Sequence, residues 1–325
     1  MAELPQRGAV VGCGVIGAAW AARMRLRGID VSAYDPSPNA SELLNDVMAD
    51  AVSAWDALGL STDRIGSLVL CASIEEAVAD VELIQESVPE RLDIKHSTLA
   101  AIDDAAPADA IIASSTSGYK PTDLATSMTR PERLVVAHPF NPVYLLPLVE
   151  IVGGEQTSLG TIDRAMDTYR ALGMHPLHVR KEIDAFIADR LLEAVWREAL
   201  WLVNDGIATT EEIDDAIRYG FGLRWAQMGT FETYRIAGGE GGMRHFMEQF
   251  GPALKWPWTK LMDTPELTDE LIDTIAEQSD EQAAGRSIRD LAQERDRNLV
   301  AILRALESVD AGAGKTVANL RALQG

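Results

Sequence analysis

Short apolar runs rich in β-branched residues recur through roughly the first half of the chain, with longer amphipathic stretches between them. The runs predict buried strands: GAVV (8–11), IDVSAY (29–34), LVLC (68–71), ELIQES (82–87), AIIASST (110–116), LVVA (134–137), LVEIV (148–152) and HPLHV (175–179). Helices are predicted from the glycine turn at Gly12 to Gly28, over 38–58, after Glu90 and from Leu159. Strand alternates with helix, as a doubly wound parallel α/β sheet requires.

After a polar joint at 180–184 the pattern changes to helices only. Ile187, Leu191, Val195, Ala199 and Leu202 fall at helical spacing, so a long helix starting near Ala185 and ending at Gly206 is expected. Thr209 and Glu212 are spaced as a capping box for the next helix. Residues 221–262 are rich in glycine and aromatics, and the tail 265–325 is acidic, then mixed, and helical. The expected division is a Rossmann-type domain over 1–182 and an all-α domain over 183–325. GAGKT (312–316) imitates the end of a phosphate loop, but Val309 stands where its first glycine would be and no strand precedes it. It reads as a flexible terminal segment.

Composition removes several classes of function. The 325 residues are 47% hydrophobic, which is ordinary for a globular chain. No apolar run approaches a membrane span, and the first residues lack the pattern of a signal peptide. Two cysteines, Cys13 and Cys71, make no disulfide framework, so a cytoplasmic location is expected. No Cys/His cluster has metal spacing, and a net charge of −21 argues against a nucleic-acid surface.

Candidate chemistry gathers at the predicted carboxyl ends of strands, where ligands bind in such sheets. The loop Gly12-Cys13-Gly14-Val15-Ile16-Gly17 lies between a strand and a helix, and the next strand ends at Asp35. That is the dinucleotide fingerprint in its required context. The glycines allow a tight turn, close approach of backbone to pyrophosphate, and close helix packing. Asp35 would accept a ribose 2′-hydroxyl and repel a 2′-phosphate, so NAD is expected rather than NADP. Glu86, Glu90, Ser114 to Ser117 and His138 fall on the same edge. If LVVA and LVEIV pair, His138 and Glu150 can meet. The carboxylate would then orient the imidazole and leave its other nitrogen free to move a proton. Burial of a His satisfied by a Glu is the structural alternative, and the polar edge favours chemistry.

The glycine loop, Ser114-Ser115-Thr116-Ser117, His138-Pro139-Phe140-Asn141-Pro142 and Glu150 together resemble the 3-hydroxyacyl-CoA dehydrogenase superfamily. The resemblance covers the first domain and continues through 185–235. It implies His138 as general base, Glu150 as its partner, Ser117 on the reacting oxygen, Asn141 in the pocket, and Glu90 and Lys95 near the cofactor ribose. FGLRWAQMG (221–229) and ALKWPWTK (253–260) resemble its branch that oxidises L-carnitine with NAD. Asp189 replaces the active-site Asn of the acyl-CoA enzymes, with a helix-surface Asp paired with Arg190 or Arg197 as the structural alternative, and no Lys/Arg cluster offers a coenzyme A site. A trimethylammonium group suits aromatic faces and carboxylates, so Asp189, Trp225, Phe231, Tyr234, Trp256 and Trp258 are candidates for it, although each aromatic singly is more often core. Arg190 and Arg224 are candidates for the substrate carboxylate. The family's helical domain pairs subunits, so a homodimer is implied. Oxidation of a hydroxyacyl-CoA or of L-gulonate is the alternative within the superfamily, and a non-catalytic NAD-binding protein the alternative outside catalysis.

Overall fold

The computed structural model describes residues 4–237, 240, 242–250, 259, 266 and 268–324. It resolves into two compact units, one of 1–187, 295–309 and 313–325, the other of 188–294 and 310–312.

The first unit is built on eight strands in the order β3-β2-β1-β4-β5-β6-β7-β8. They are β1 (Arg7–Val11), β2 (Asp30–Tyr34), β3 (Leu68–Leu70), β4 (Leu83–Glu86), β5 (Ile111–Ser114), β6 (Leu134–Pro139), β7 (Leu148–Val152) and β8 (His175–Val179). Neighbouring strands pair in parallel except β6 with β7, which run antiparallel. Helices α1 (Val15–Leu26), α2 (Ala40–Leu58), α3 (Ile74–Val78), α4 (Leu92–Ala105), α5 (Pro121–Ala125) and α6 (Leu159–Ala171) connect them. The central strands are buried along their length, which is why they read as continuous apolar runs and not as alternating ones. The chain reverses its winding between β1 and β4, where Ser87 N–H donates to Val11 O at 2.7 Å. This switch point opens the crevice in which such sheets take ligands.

The second unit is helical: α7 (Ala188–Asn204), α8 (Thr210–Ala216), α9 (Gly222–Trp225), α10 (Thr230–Ala237), α11 (Gly242–Phe250) and α12 (Asp269–Ala283). Thr209 and Glu212 form the expected capping box. A π-helical turn over Ile217–Phe221 kinks at Gly220. Helix α7 starts later than its periodicity suggests. Ala185 and Phe186 take φ of 57° and 50°, in the left-handed region, which turns the chain before the helix begins. The apolar stripe expected on this helix is not covered within its unit: Leu191 is 64% exposed and Ile187, ahead of the helix, 41%, while Leu200 and Val203 are the buried positions.

The tail departs from the expected boundary. Helix α13 (Ile288–Ser308) passes into the first unit from Arg295 on, and α14 (Gly314–Ala322) belongs to that unit as well. Val300, Leu303, Val317 and Leu320 join the buried cluster that contains Trp55, Leu58 and Tyr144. Arg321 and Gln324 donate to the carbonyls of Leu58 and Ser61, both at 2.9 Å. GAGKT is accordingly no loose end. Its Gly314 opens α14 so close to α13 that a Cβ there would stand 2.1 Å from Glu307 N.

Candidate active site

The antiparallel ladder sets His138 directly opposite Glu150. His138 Nδ1 and Glu150 Oε2 are 3.0 Å apart, and both side chains are buried. The other carboxylate oxygen accepts the Ile187 N–H at 2.9 Å. Glu150 is thus held from two sides, and it holds the imidazole through Nδ1. His138 Nε2 lies 3.1 Å from Ser117 Oγ. Ser117 is exposed, so the chain Ser117–His138–Glu150 runs from an open end to a closed one. Phe140 and Phe186 flank the imidazole at ring-centroid distances of 5.4 and 5.6 Å. Phe186 is fully buried, and its left-handed backbone is what turns it inward and delivers the next N–H to Glu150. Nothing in the sequence pattern signals that role. Asn141 lies exposed just past β6, joined to Pro142 by a cis peptide bond.

A second polar cluster holds Ser117 in place. Glu90 Oε1 accepts from Ser117 N–H and Gly118 N–H, both at 3.2 Å, and from the Thr116 hydroxyl. Glu90 Oε2 pairs with Lys95 Nζ at 3.2 Å. That ammonium is 1% exposed and also meets Glu86 Oε1 at 3.1 Å. Glu86 accepts in turn from the Ser114 hydroxyl at 2.5 Å and from Val88 N–H at 2.8 Å. A buried ammonium between two carboxylates is stable only with such complete pairing. Glu86 and Ser114 were legible in the sequence as strand-end polar residues, but not as partners.

The glycine loop sits on the same edge. Gly12 has φ of 91° and lies so near Ser87 that a Cβ would come within 2.6 Å of its carbonyl, while a Cβ on Gly17 would come within 1.8 Å of Gly12 O. Both glycines are therefore required by packing. Gly14 differs, because a Cβ there meets nothing within 4 Å. Its backbone borders open space at the N-terminus of α1, whose cap has no side-chain hydrogen bond and whose first turn has no acidic residue. Free N–H groups, partial positive charge and open space suit a pyrophosphate. Asp35 Oδ2 accepts the Cys13 N–H at 2.6 Å and Oδ1 accepts the Ser37 N–H at 2.7 Å. Each oxygen keeps a lone pair for a ribose hydroxyl. Burial, with Asp35 nearby, pushes the Cys13 thiol up to about 12, so it adds no negative charge to the phosphate site. The residues present fit a dinucleotide. Among the described residues no group of three His, Cys, Asp or Glu is placed to hold a metal ion.

The remaining candidates lie in the second unit. Asp189 is half-buried and Arg190 exposed in the first turn of α7. Arg197 pairs with Glu193 at 3.7 Å. Arg224 is exposed. For the three described aromatics the expectation of core packing does not hold: Trp225, Phe231 and Tyr234 are 45%, 80% and 45% exposed. Trp225 packs edge-on to Phe221, with centroids 4.6 Å apart, and Tyr234 stacks on Phe246 at 4.6 Å. Trp256 and Trp258, with the rest of ALKWPW, lie outside the described residues.

A glycine loop at the switch point and a Ser–His–Glu chain on the same strand edge define a nucleotide-dependent dehydrogenase. The 3-hydroxyacyl-CoA dehydrogenase NAD binding domain matches residues 8–183 and the C-terminal domain of the same family matches 186–276. The chain belongs to the 3-hydroxyacyl-CoA dehydrogenase family and is an NAD-dependent oxidoreductase of CH–OH groups. It is 62% identical over 312 residues to an L-carnitine dehydrogenase of Mesorhizobium japonicum, covering 95% of this chain and 85% of the relative. It is 60% identical to an L-carnitine dehydrogenase/betainyl-CoA thioesterase of Agrobacterium fabrum, covering 95% of this chain but 63% of that longer protein. Among solved structures, an NAD+-dependent 5-formyl-3-hydroxy-2-methylpyridine 4-carboxylic acid 5-dehydrogenase matches with a TM-score of 0.79 and 29% identity, over 94% of this chain and 99% of the other.

Proposed function

We propose that the chain oxidises the 3-hydroxyl of L-carnitine to 3-dehydrocarnitine, with His138 as general base. The observation that carries the base assignment is the Ser117–His138–Glu150 chain, with one imidazole nitrogen tied to a buried carboxylate and the other beside an exposed hydroxyl. An alcohol oxygen hydrogen-bonded to Ser117 Oγ stands next to His138 Nε2, which takes its proton as the hydride leaves the carbon. Glu150 stabilises the imidazolium that forms and holds the ring. NAD, when bound, accepts the hydride. Its pyrophosphate is assigned to the loop Gly12 to Gly17, its adenosine ribose to Asp35, and its nicotinamide ribose to Glu90; Lys95, expected beside that ribose, is buried and holds Glu90 instead of reaching the cofactor. Asn141 borders the pocket.

The substrate assignment is supported by the L-carnitine dehydrogenases at 55–62% identity. Exposed Trp225, Phe231 and Tyr234 and the Asp189 carboxylate suit a quaternary ammonium, and Arg190 and Arg224 suit a carboxylate. The uncovered stripe of α7, with Leu191 64%, Leu192 55% and Trp196 51% exposed, supports pairing with a second copy as a homodimer. Cytoplasmic location is part of the same reading. Among the described residues no helix is long and apolar enough to cross a membrane. The test is a panel of L-carnitine, D-carnitine, L-gulonate and 3-hydroxybutyryl-CoA with NAD, followed as NADH absorbance. Turnover confined to L-carnitine is expected. Faster turnover of an acyl-CoA or of gulonate would reassign the substrate, and none on any alcohol would favour a non-catalytic NAD-binding protein.

A further inference from the structure

We propose that Asp296, on the returning tail, is a positioning residue for the proton-acceptor site: through Tyr144 it fixes the segment that joins His138 to Glu150. The inference rests on the reading of His138 as base. Tyr144 stands midway between His138 and Glu150 in the chain. Its side chain is 5% exposed, and its hydroxyl donates to Asp296 Oδ2 at 2.5 Å. Its carbonyl accepts from Trp55 Nε1 at 2.8 Å and from Arg23 Nη1 at 3.2 Å. Arg23 is buried and also donates to Leu172 O at 3.1 Å and to Gly173 O, at the C-terminal end of α6. The turn itself is closed by Leu145 N–H and Leu146 N–H donating to Pro142 O at 3.0 and 2.8 Å. The backbone of Tyr144 is thus tied to α1 and α2, while its ring is tied to α13.

The Asp296 carboxylate keeps its charge partner, since Oδ1 lies 2.8 Å from Arg295 Nη2. Burial first, and then the Asp296 hydrogen bond, pushes the Tyr144 hydroxyl well above the usual phenol range, so it remains a neutral donor. A phenylalanine would fill the same space without having to desolvate a hydroxyl and a carboxylate. A buried polar pair of this kind selects one arrangement of the elements it joins, where apolar packing alone tolerates several. The arrangement selected here is that of the strands bearing His138 and Glu150. Asp296 lies beyond residues 186–276, so the device sits outside the part of the tail end that the family domains match.

The test compares Y144F, D296A and D296N with R321A, which loosens the tail at a distance, where Arg321 holds the carbonyls of Leu58 and Gly59. Turnover of L-carnitine in Y144F and D296A should fall about tenfold or more, the scale expected when a reacting group is displaced by a fraction of an ångström. The KM for NAD should stay within about twofold, because the glycine loop is untouched. D296N keeps an acceptor for the phenol and should recover most of the loss. In 15N-histidine-labelled protein, the His138 Nδ1–H resonance, assigned by its absence in H138Q, should move in D296A and stay put in R321A. Wild-type kcat in D296A, or an equal loss in R321A at the same melting temperature, would overturn the proposal. The resonance is read without turnover. An active H138Q would therefore sink the base assignment, and an unmoved resonance would sink the positioning role.

Discussion

His138 and Glu150 face each other across the antiparallel β6–β7 pair and join through Nδ1 and Oε2 at 3.0 Å, while the second oxygen of Glu150 receives the Ile187 N–H at 2.9 Å. Both acceptors of one buried carboxylate are therefore in use, and a neutral amide cannot replace it. Glutamine offers one acceptor oxygen and two N–H donors, so with the oxygen on the Ile187 N–H its amide can only donate to Nδ1, which puts the ring proton on Nε2 and removes the base.

Glu150→Gln should accordingly lower kcat by about a hundredfold, within the range that general acid–base groups contribute. The KM for NAD should hardly move, since Glu150 acts on the imidazole and on the Ile187 N–H. Steady-state kinetics with L-carnitine as the varied substrate, then with NAD, separate the two. A variant with normal kcat would show that the imidazole keeps its orientation without the carboxylate.

The glycine loop yields a prediction that separates ligand space from packing. Gly14→Ala puts a methyl where nothing lies within 4 Å, on a residue with φ of −66°, so the melting temperature should not change. NAD affinity should fall about tenfold or more, because the methyl occupies the approach to the pyrophosphate. Gly17→Ala forces a Cβ to 1.8 Å from Gly12 O and should destabilise the fold itself. Thermal melts with and without NAD, together with titration of NAD binding, read both outcomes. Normal affinity in Gly14→Ala would remove the pyrophosphate from this loop.

On the proposed reading, Asp35 controls the choice of nucleotide. Asp35→Ser removes the carboxylate that would repel a 2′-phosphate, so the ratio of kcat/KM for NAD over NADP should drop by about tenfold or more. Some loss of loop order accompanies it, since Cys13 N–H loses a charged acceptor at 2.6 Å. An unchanged ratio in the variant would place the discrimination elsewhere.

Asp103 should govern part of the acid limb of stability. Burial alone would raise its carboxyl, but the hydrogen bonds from Arg133, Thr129 and Arg130 together outweigh burial and hold it below its usual range. The folded value lies below the unfolded one of about 3.9, so the unfolded chain binds the proton first as the pH falls. The stability it supplies is complete well above pH 4 and drains away as the pH drops through the lower, folded value. Asp103→Asn should cost about 3 kcal/mol at pH 7, because the buried Arg133 guanidinium loses its charged partner. It should also flatten the fall of melting temperature between about pH 5 and pH 3. An equally steep acid limb in the variant would assign that limb to other carboxylates.

Much of the first unit is legible in the amino-acid sequence alone. The central strands β4, β5 and β6 are buried on both faces and leave near-continuous apolar runs, and each of the eight runs marks a strand. The glycine loop with Asp35, and His138 with Glu150, could be named because local spacing carries them. The second unit was legible as helices, through the spacing of its apolar positions and the Thr209–Glu212 box, but not as buried and open faces. The stripe with Leu191 has helical period yet lies open, because periodicity records that a face is apolar and not what covers it.

Only the tertiary structure decided which distant residues meet. Phe186 on the imidazole, Ile187 on Glu150, and Lys95 between Glu86 and Glu90 are contacts that no periodicity encodes. The tail shows the same limit most clearly, since it reads simply as further helices of an all-α domain over 183–325. The burial of α13 and α14 against Trp55, Leu58 and Tyr144 follows from where the chain returns in space. The sequence by itself determined the strands, the glycine turn and the pairing of His138 with Glu150 across neighbouring strands, because backbone sterics and side-chain periodicity act between near neighbours. The placement of Asp296 on Tyr144, and of every group that locks the site, was decided by the packing of the whole chain, because those contacts exist only after the entropy of closing long loops has been overcome.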